Sequence, residues 1–192
     1  LIMLLLSFII LLALWAYKSW LTQQRLKQLT EYDSLTKAHS RGHFMQLAKS
    51  SLRHCAKTEQ DLSCVLFDLD NFKNINDKYG HVVGDNVLKE VAGLCLSIGR
   101  QNDILGRLGG EEFCYILPGC NTTIATDIAN RCRIEIESID YAALGLNEPV
   151  TASFGISDVV ISGFELTDLL ANADSAMYAA KAHGKNYVSL FR

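Results

Sequence analysis

Two short apolar runs, at 104–108 and 113–117, stand on either side of the four residues Gly-Gly-Glu-Glu at 109–112. Apolar runs of this length around a glycine-containing connection are typical of two antiparallel strands and their tight turn. An isolated hairpin is only marginally stable in water, because other strands or helices must cover its apolar side chains. The pattern therefore predicts a hairpin that lies within a larger sheet.

The rest of the downstream sequence alternates between strand-like and helix-like patterns. Strand-like apolar runs occur at 62–67, 150–156 and 187–191, and helical spacing of apolar residues occurs at 84–98, 122–139 and 166–183. Because these patterns interleave around the hairpin, the sequence predicts an α/β (α+β) fold with helices packed on the faces of the sheet.

Residues 1–17 form an apolar run that only Ser7 interrupts. A transmembrane helix needs about 20 such residues, and the chain begins with leucine, so we expect 1–17 to be a shortened transmembrane helix. A buried core helix is the alternative, whereas a signal peptide fits poorly because the basic residues follow the apolar run. These residues, Lys18, Arg25 and Lys27, predict a cytoplasmic location for everything downstream.

Residues 18–32 contain neither glycine nor proline, and leucines are spaced through them. This composition predicts a linker or signalling helix, which either stays solvated or pairs with its counterpart in a dimer. The globular domain is expected to occupy 33–192.

Charge and cysteine content exclude several classes of protein. The net charge of -3 provides no global basic field for binding nucleic acid, so phosphate binding must rely on local groups. None of the six cysteines forms a CxxC pair, which argues against a structural zinc site. They are expected to be small buried hydrophobes in a reducing compartment, and a disulfide framework is the alternative.

Two acidic residues, Asp68 and Asp70, follow the strand-like run at 62–67. A carboxylate at the end of a buried strand is held rigidly while it faces solvent, which suits a hard cation such as Mg²⁺. An EF-hand calcium loop is excluded, because its sixth position, which requires glycine, is Lys73.

The hairpin tip carries a second acidic pair, Glu111 and Glu112. The two glycines before them allow a tight turn and the close approach of a ligand. Adjacent carboxylates repel each other, and a metal ion that bridges them to Asp68 would relieve this repulsion. Taken alone, the pair is equally compatible with a solvated surface turn.

The strand before Asp68, the residues Asn76 and Asp85, and the Gly-Gly-Glu-Glu-Phe loop, in this order and spacing, resemble the GGDEF family of diguanylate cyclases. The resemblance implies a central, mostly antiparallel sheet of about five strands surrounded by helices, as in the polymerase palm and nucleotide cyclases. It also implies a homodimer that condenses two GTP molecules into cyclic di-GMP, anchored here in the bacterial inner membrane. A receptor that binds GTP or cyclic di-GMP without catalysis is one alternative. Substitutions in the Gly-Gly-Glu-Glu-Phe loop would favour it, and this loop is intact. A scaffold that only dimerises leaves Asn76 and Asp85 unexplained.

The resemblance assigns the metal site and the guanine site. Asp68, Glu111 and the backbone carbonyl of Leu69 match ligands of Mg²⁺, with Mn²⁺ as the other candidate ion. Glu112 matches the second acidic position, which binds metal or activates the attacking 3′-hydroxyl, and which glutamate is the base stays open. Asn76 and Asp85 match the guanine-reading pair, since a carboxylate accepts from the two N–H donors of guanine that adenine lacks. His81 lies between them and either lines the same pocket or is structural.

Phosphate-binding positions follow from the same resemblance. They are the backbone amides of Asn71 and Phe72, and the side chains of Lys73, Lys181 and Lys185. The family more often has arginine where Lys185 stands, and lysine keeps the charge but loses the bidentate geometry.

Arg100 and Asp103 resemble the RxxD site at which the product, cyclic di-GMP, inhibits members of the family. Arg131 or Arg133 is a candidate for a further basic contact, and both are equally compatible with a solvated helix face. The entry motif at 33–41 departs from the family pattern, because Lys37 and Ser40 replace the usual glycine and asparagine.

Overall fold

The computed structural model describes residues 10–20 and 31–192. The first half of the predicted transmembrane helix and most of the predicted linker helix, at 1–9 and 21–30, lie outside the described residues. Residues 10–20 are helical (α1) and expose large apolar side chains, including Leu11, Trp15 and Trp20. Among the described residues, no helix has both the length and the apolar character needed to cross a bilayer.

The domain alternates strands and helices. Its strands are β1 (His39–Ser40), β2 (Leu62–Leu69), β3 (Ile104–Gly109), β4 (Glu112–Pro118), β5 (Ala152–Asp158) and β6 (Val188–Leu190). Its helices are α2 (Arg41–Thr58), α3 (Phe72–Tyr79), α4 (His81–Ile98), α5 (Thr122–Glu137), α6 (Val159–Ser162) and α7 (Leu166–Ala182). The predicted hairpin is therefore confirmed as β3 and β4.

The strands form one sheet in the order β1-β3-β4-β2-β5-β6. The three central pairings are antiparallel, whereas β1 pairs with β3 and β5 pairs with β6 in parallel. The expectation of about five mostly antiparallel strands is therefore corrected to a mixed sheet of six. The additional strand has only two residues, which is too short to produce an apolar alternation that sequence analysis can detect.

Helices cover both faces of the sheet. On one face α4 and α5 enclose a core that includes Phe67, Tyr115 and Phe154, and on the other α2 and α7 pack against Cys64 and Ile116. All eight residues of β2 are consequently buried, which explains its continuous apolar run. All six cysteines are buried and free, as expected for small hydrophobic residues.

Three phenylalanine rings form a row across the centre of the sheet. The ring centroid of Phe67 lies 5.3 Å from that of Phe113 and 4.8 Å from that of Phe154. The three residues are also in direct register across β4, β2 and β5. Aromatic pairs of this kind contribute about 0.5–1.5 kcal/mol beyond their buried area, so the row stabilises one register in particular.

Helix α7 approaches the sheet closely at Gly155 in β5. A side chain there would collide with the backbone of α7 at Ala173 and Met177. Glycine is therefore required at this position, and it sets the height of α7 above the end of β2.

Helix α2 was not predicted from the sequence. Its buried residues are Phe44, Ala48, Leu52 and Cys55, which recur at helical spacing, but polar residues and further apolar ones such as Met45 and Leu47 lie between them and obscure the pattern. Its N-cap is Ser40, whose hydroxyl accepts a hydrogen bond from the backbone N–H of His43. The serine that departs from the family pattern is thus a suitable cap.

The entry turn is held by Asp33, whose carboxylate accepts hydrogen bonds from the backbone N–H and the hydroxyl of Thr36, at 2.9 and 2.6 Å. Burial acts to raise the pKa of Asp33, but these bonds and the guanidinium of Arg107 hold it below its usual value. At the end of the turn Lys37 has a φ of 65°, in the left-handed region where side chains cause strain.

Replacing Lys37 with glycine is expected to raise the free energy of unfolding by about 0.5–1 kcal/mol, because relief of the strain exceeds the added entropy of the unfolded chain. Urea denaturation of the two proteins measures the difference. Lys37→Ala is the matched control, since it removes the side chain but keeps the strain, and it should give no gain. An equal gain from both substitutions would contradict the strain argument.

Candidate active site

The end of the central sheet brings two predicted acidic residues together. Asp68 is the penultimate residue of β2 and is in direct register with Glu112 of β4 and Ser153 of β5. Residues alternate between the faces of a strand, so Asp68 lies on the α7 face while Phe67 lies in the opposite core. The Asp68 side chain is 12% exposed, so its carboxylate is largely shielded from water.

The turn before Glu112 depends on its two glycines. Gly109 and Gly110 have φ angles of 155° and 52°, and the pairing of β3 with β4 shifts between Arg107 and Gly109. Glycine adopts such conformations without steric cost. The irregular turn places Glu111 beside the carboxylate of Asp68, whose pKa it helps to raise.

Lys181 of α7 lies in the same group of charges. Its ammonium nitrogen is 2.8 Å from a carboxylate oxygen of Asp68. Sequence analysis assigned this lysine to phosphate, and the structure pairs it with the predicted metal ligand instead. A buried carboxylate requires a nearby cation or hydrogen-bond donors, and Lys181 meets that requirement for Asp68.

The site retains more negative charge than Lys181 neutralises. Burial raises the pKa of Asp68, Lys181 acts to lower it, and Glu111 and Asp70 raise it further. Partial burial also raises the pKa of Glu112, which remains exposed at the start of β4, and the charge of Asp68 raises it further. An excess of carboxylate charge at one point is the condition under which a divalent cation binds favourably.

The chemistry of these donors fits Mg²⁺ or Mn²⁺, because both ions prefer carboxylate and carbonyl oxygens. The predicted ligands Asp68, Leu69 and Glu111 provide two carboxylates and one backbone carbonyl at the end of β2 and the adjoining turn. Within the residues that the structure describes, no three His, Cys, Asp or Glu side chains already stand in metal-binding geometry.

A cavity of about 380 Å³ opens beside these carboxylates. It is lined by Glu112, Asp174, Ser175, Met177, Tyr178 and Lys181. Sequence analysis did not identify Asp174 or Tyr178 as residues of the site. Both lie on the exposed face of α7 at helical spacing from the lysine, and this spacing is the signal that identifies them.

The predicted phosphate residues lie around the start of α3. Asn71 is the N-cap with a φ of 57°, Phe72 begins the helix and is buried, and the Lys73 side chain is exposed. The first backbone N–H groups of a helix have no acceptor within it, so those of α3 are suited to an anion. Lys185 reaches the same place, with its ammonium 2.6 Å from the side-chain oxygen of Asn71.

The predicted guanine-reading residues are brought together by the junction of α3 and α4. Asn76 of α3 packs directly against Gly84, the residue before Asp85, and any side chain at Gly84 would collide with the Asn76 amide. His81 begins α4 and is exposed, as is Asp85 one turn later. The three predicted residues therefore surround one surface.

The predicted inhibitory pair is preassembled. The carboxylate of Asp103 is 1% exposed and accepts hydrogen bonds from the backbone N–H of Arg100 at 2.8 Å and from its guanidinium at 2.8 and 3.2 Å. These bonds raise the pKa of Arg100, whose side chain remains 47% exposed. Asp103 lies just before β3, and the glycine turn lies at the other end of this six-residue strand. Arg100 and Asp103 are therefore about 20 Å from the glycine turn.

Arg133 does not point freely to solvent as a spare basic contact would. Its guanidinium donates to the side-chain oxygen of Asn186 at 3.1 Å and lies 3.5 Å from Glu137. Arg131 is exposed. Arg133 thus contacts the segment after α7, and both arginines stay candidates for the further basic contact.

Arg107 links the entry turn to the glycine turn. One end of its guanidinium donates to Asp33 at 3.0 Å, and the other donates to the backbone carbonyl of Gly110 at 2.7 and 3.0 Å. The sequence did not indicate this link, because its partners are 74 residues apart. The entry motif, although it departs from the family pattern at Lys37 and Ser40, is thus connected to the glycine turn of the candidate active site through Arg107.

Residues 30–187 match the family described as diguanylate cyclase, GGDEF domain. Diguanylate cyclase A of Treponema denticola is 34% identical over 175 residues, which cover 88% of this chain and 47% of that protein. The chain spans between 16% and 52% of the length of five curated relatives that it matches.

Solved structures share the fold. The GGDEF domain of DgcB from Caulobacter crescentus in complex with c-di-GMP has a TM-score of 0.76 and 26% identity, covering 84% of this chain and 93% of that chain. The active GGEEF domain of a diguanylate cyclase from Vibrio cholerae has a TM-score of 0.73 and 29% identity, covering 80% and 97%.

Glu112→Gln is expected to raise the free energy of unfolding at about pH 7.5 in EDTA, because glutamine cannot carry the charge that burial and Asp68 disfavour. The pKa of Glu112 is higher in the folded than in the unfolded chain, so the folded state binds the additional proton. The gain should therefore be complete above the folded pKa and disappear as the pH falls below the ordinary value of 4.5.

Urea denaturation across this pH range measures the gain. Glu135→Gln, on the exposed face of α5, is the matched control and should leave stability unchanged at every pH. A gain of constant size from neutral to acid pH would contradict the assignment to the charge of Glu112.

Proposed function

The chain belongs to the GGDEF family of diguanylate cyclases, and from this membership we propose that it condenses two GTP molecules into cyclic di-GMP and two pyrophosphates. The observation that carries the proposal is the meeting of Asp68, Glu112 and Lys181 at the end of the sheet, beside an intact Gly-Gly-Glu-Glu-Phe loop. Such a combination of carboxylates and a cation suits phosphoryl chemistry.

In this reaction the 3′-hydroxyl of one GTP attacks the α-phosphate of the other, and pyrophosphate leaves. Lys73, Lys181 and Lys185 neutralise the triphosphate, and the backbone amides of Asn71 and Phe72 bind its oxygens. Glu111 and Glu112 are the groups available to accept the hydroxyl proton.

Enzymes of the family generally use a divalent metal ion. Asp68, Glu111 and the carbonyl of Leu69 would hold Mg²⁺, or Mn²⁺, whose chemistry is to neutralise phosphate charge and acidify a nearby hydroxyl. Lys181, which is paired with Asp68 in the structure, would then be free to contact the triphosphate. Its pairing with Asp68 and its predicted role in phosphate binding are therefore compatible.

Guanine selectivity is attributed to Asp85 and Asn76. The carboxylate of Asp85 can accept from N1–H and the exocyclic amine together, while the amide of Asn76 can donate to O6 or N7. Adenine would leave the carboxylate without donors, which is costly in a binding site. His81 is proposed to line the same surface.

Each domain holds one GTP, so turnover requires two domains that face each other. We therefore propose a homodimer, with the segment before Asp33 setting its geometry. We also propose attachment to the bacterial inner membrane through 1–17, with the domain in the cytoplasm; the apolar sequence and the exposed apolar side chains of α1 support attachment.

The purified chain, incubated with Mg²⁺ and GTP, should produce cyclic di-GMP, detected by chromatography, with a specific activity that rises with protein concentration as dimers form. Glu111→Gln should lower the rate by about 100-fold or more, whereas Glu135→Gln should not. Tight binding of GTP without product at high protein concentration would instead indicate a receptor and refute the proposed activity.

Arg100→Ala should weaken inhibition by added cyclic di-GMP by roughly 10- to 100-fold, the usual effect of losing charged hydrogen bonds. Turnover in the absence of product should be unaffected, because the pair lies at the far end of β3. Arg100→Lys keeps the charge of the buried pair and controls for loss of folding, which thermal denaturation checks. Inhibition that is unchanged in both variants would refute the RxxD assignment.

A further inference from the structure

Asp70 has a role that differs from that of Asp68 two residues earlier. Its carboxylate is buried, with the residue 5% exposed. One oxygen accepts from the hydroxyl of Ser153 at 2.7 Å, and the other accepts from the hydroxyl of Thr151 at 2.7 Å and the backbone N–H of Asn186 at 3.0 Å. Both oxygens thus accept hydrogen bonds from protein donors, whereas Asp68 is paired with the ammonium of Lys181.

The segment that Asp70 contacts has an unusual backbone. Gly184, Lys185 and Asn186 follow one another with φ angles of 120°, 67° and 45°. A residue with a side chain in this region costs of order 1–3 kcal/mol and persists only where its surroundings impose it. Two of the three residues carry side chains, so the conformation of 184–186 must be held by specific contacts.

Two charged side chains hold Asn186 from different elements. Asp70, after β2, accepts from its backbone N–H, and Arg133 of α5 donates to its side-chain oxygen at 3.1 Å. The adjacent Lys185 is then directed back to the start of α3, where its ammonium lies 2.6 Å from the Asn71 side-chain oxygen. Asp70 thus helps to orient Lys185 through the backbone of Asn186, and Lys185 in turn contacts Asn71, the next residue in the chain.

We propose that Asp70 is a positioning residue: it fixes the 184–186 turn so that Lys185 lies beside the first turn of α3, where the triphosphate binds. The phosphate part of this inference rests on the proposed function, whereas the anchoring of the turn does not. Asp70 is accordingly not a metal ligand. Its neutral isostere should disturb phosphate affinity rather than the dependence on Mg²⁺.

The first test measures the turn directly. Hydrogen exchange, followed by mass spectrometry of a peptide that contains 184–187, should be roughly tenfold or more faster in Asp70→Asn, because an N–H bond to a charged acceptor is lost. Asp127→Asn, an exposed aspartate of α5, is the matched control and should exchange like the original chain. Unchanged exchange in Asp70→Asn would overturn the proposal.

The second test connects the turn to phosphate. Asp70→Asn should weaken binding of inorganic pyrophosphate by roughly tenfold and raise the KM for GTP more than it lowers kcat. Lys185→Ala should have a similar effect, and the double variant should be little worse than either single one, because both changes remove the same contact. Additive losses would overturn the proposal, as would a fall in kcat with a shifted Mg²⁺ requirement.

A second variant protects the test against misfolding of Asp70→Asn, which thermal denaturation would reveal. Arg133→Met removes the other contact to Asn186 without touching the end of β2, and it should likewise weaken pyrophosphate binding. Retention of full affinity in Arg133→Met would count against the anchored turn. If the chain makes no cyclic di-GMP while the exchange and pyrophosphate results hold, the anchor stands and only the proposed activity fails.

Discussion

The register between β2 and its two neighbours determines which side chains meet at the end of the sheet. The row of Phe67, Phe113 and Phe154 stabilises this register from the core side. Because side chains alternate along a strand, a slip of one residue would turn Asp68 into that core and Phe67 toward α7. The register that packs the three aromatic rings on one face of the sheet therefore also determines the position of the Asp68 carboxylate on the other face.

On the opposite face the same strand ends carry a group of charges in which carboxylates outnumber the nearby cation. Asp68 and Glu112 have raised pKa values, and Lys181 is their nearest cation. The structure thus concentrates negative charge at the end of β2, with Lys181 paired to Asp68 and Lys185 beside the start of α3. Gly155 contributes at a distance, because it allows α7 to approach and bring Lys181 within reach.

Sequence analysis could predict the elements whose patterns are local. The hairpin and β2 are predicted because their strands are continuous apolar runs, and α7 is predicted because its apolar residues recur at helical spacing. Strand β1 is too short to be predicted, and the buried positions of α2 are separated by polar residues and by partly exposed apolar ones. The contacts of Arg107 with Asp33 and of Asp70 with Asn186 join residues 74 and 116 positions apart, and no local pattern reports such pairs. The resemblance identifies the candidate site residues, whereas the contacts that support them appear only in the folded structure.

The guanidinium of Arg107 joins the entry turn and the glycine turn through one planar group. Its side chain connects the two turns directly, without intervening contacts of the hydrophobic core. Because Asp33 and the carbonyl of Gly110 share this one guanidinium, a shift of the entry turn would alter the hydrogen bonds that Arg107 donates to the residue immediately before Glu111.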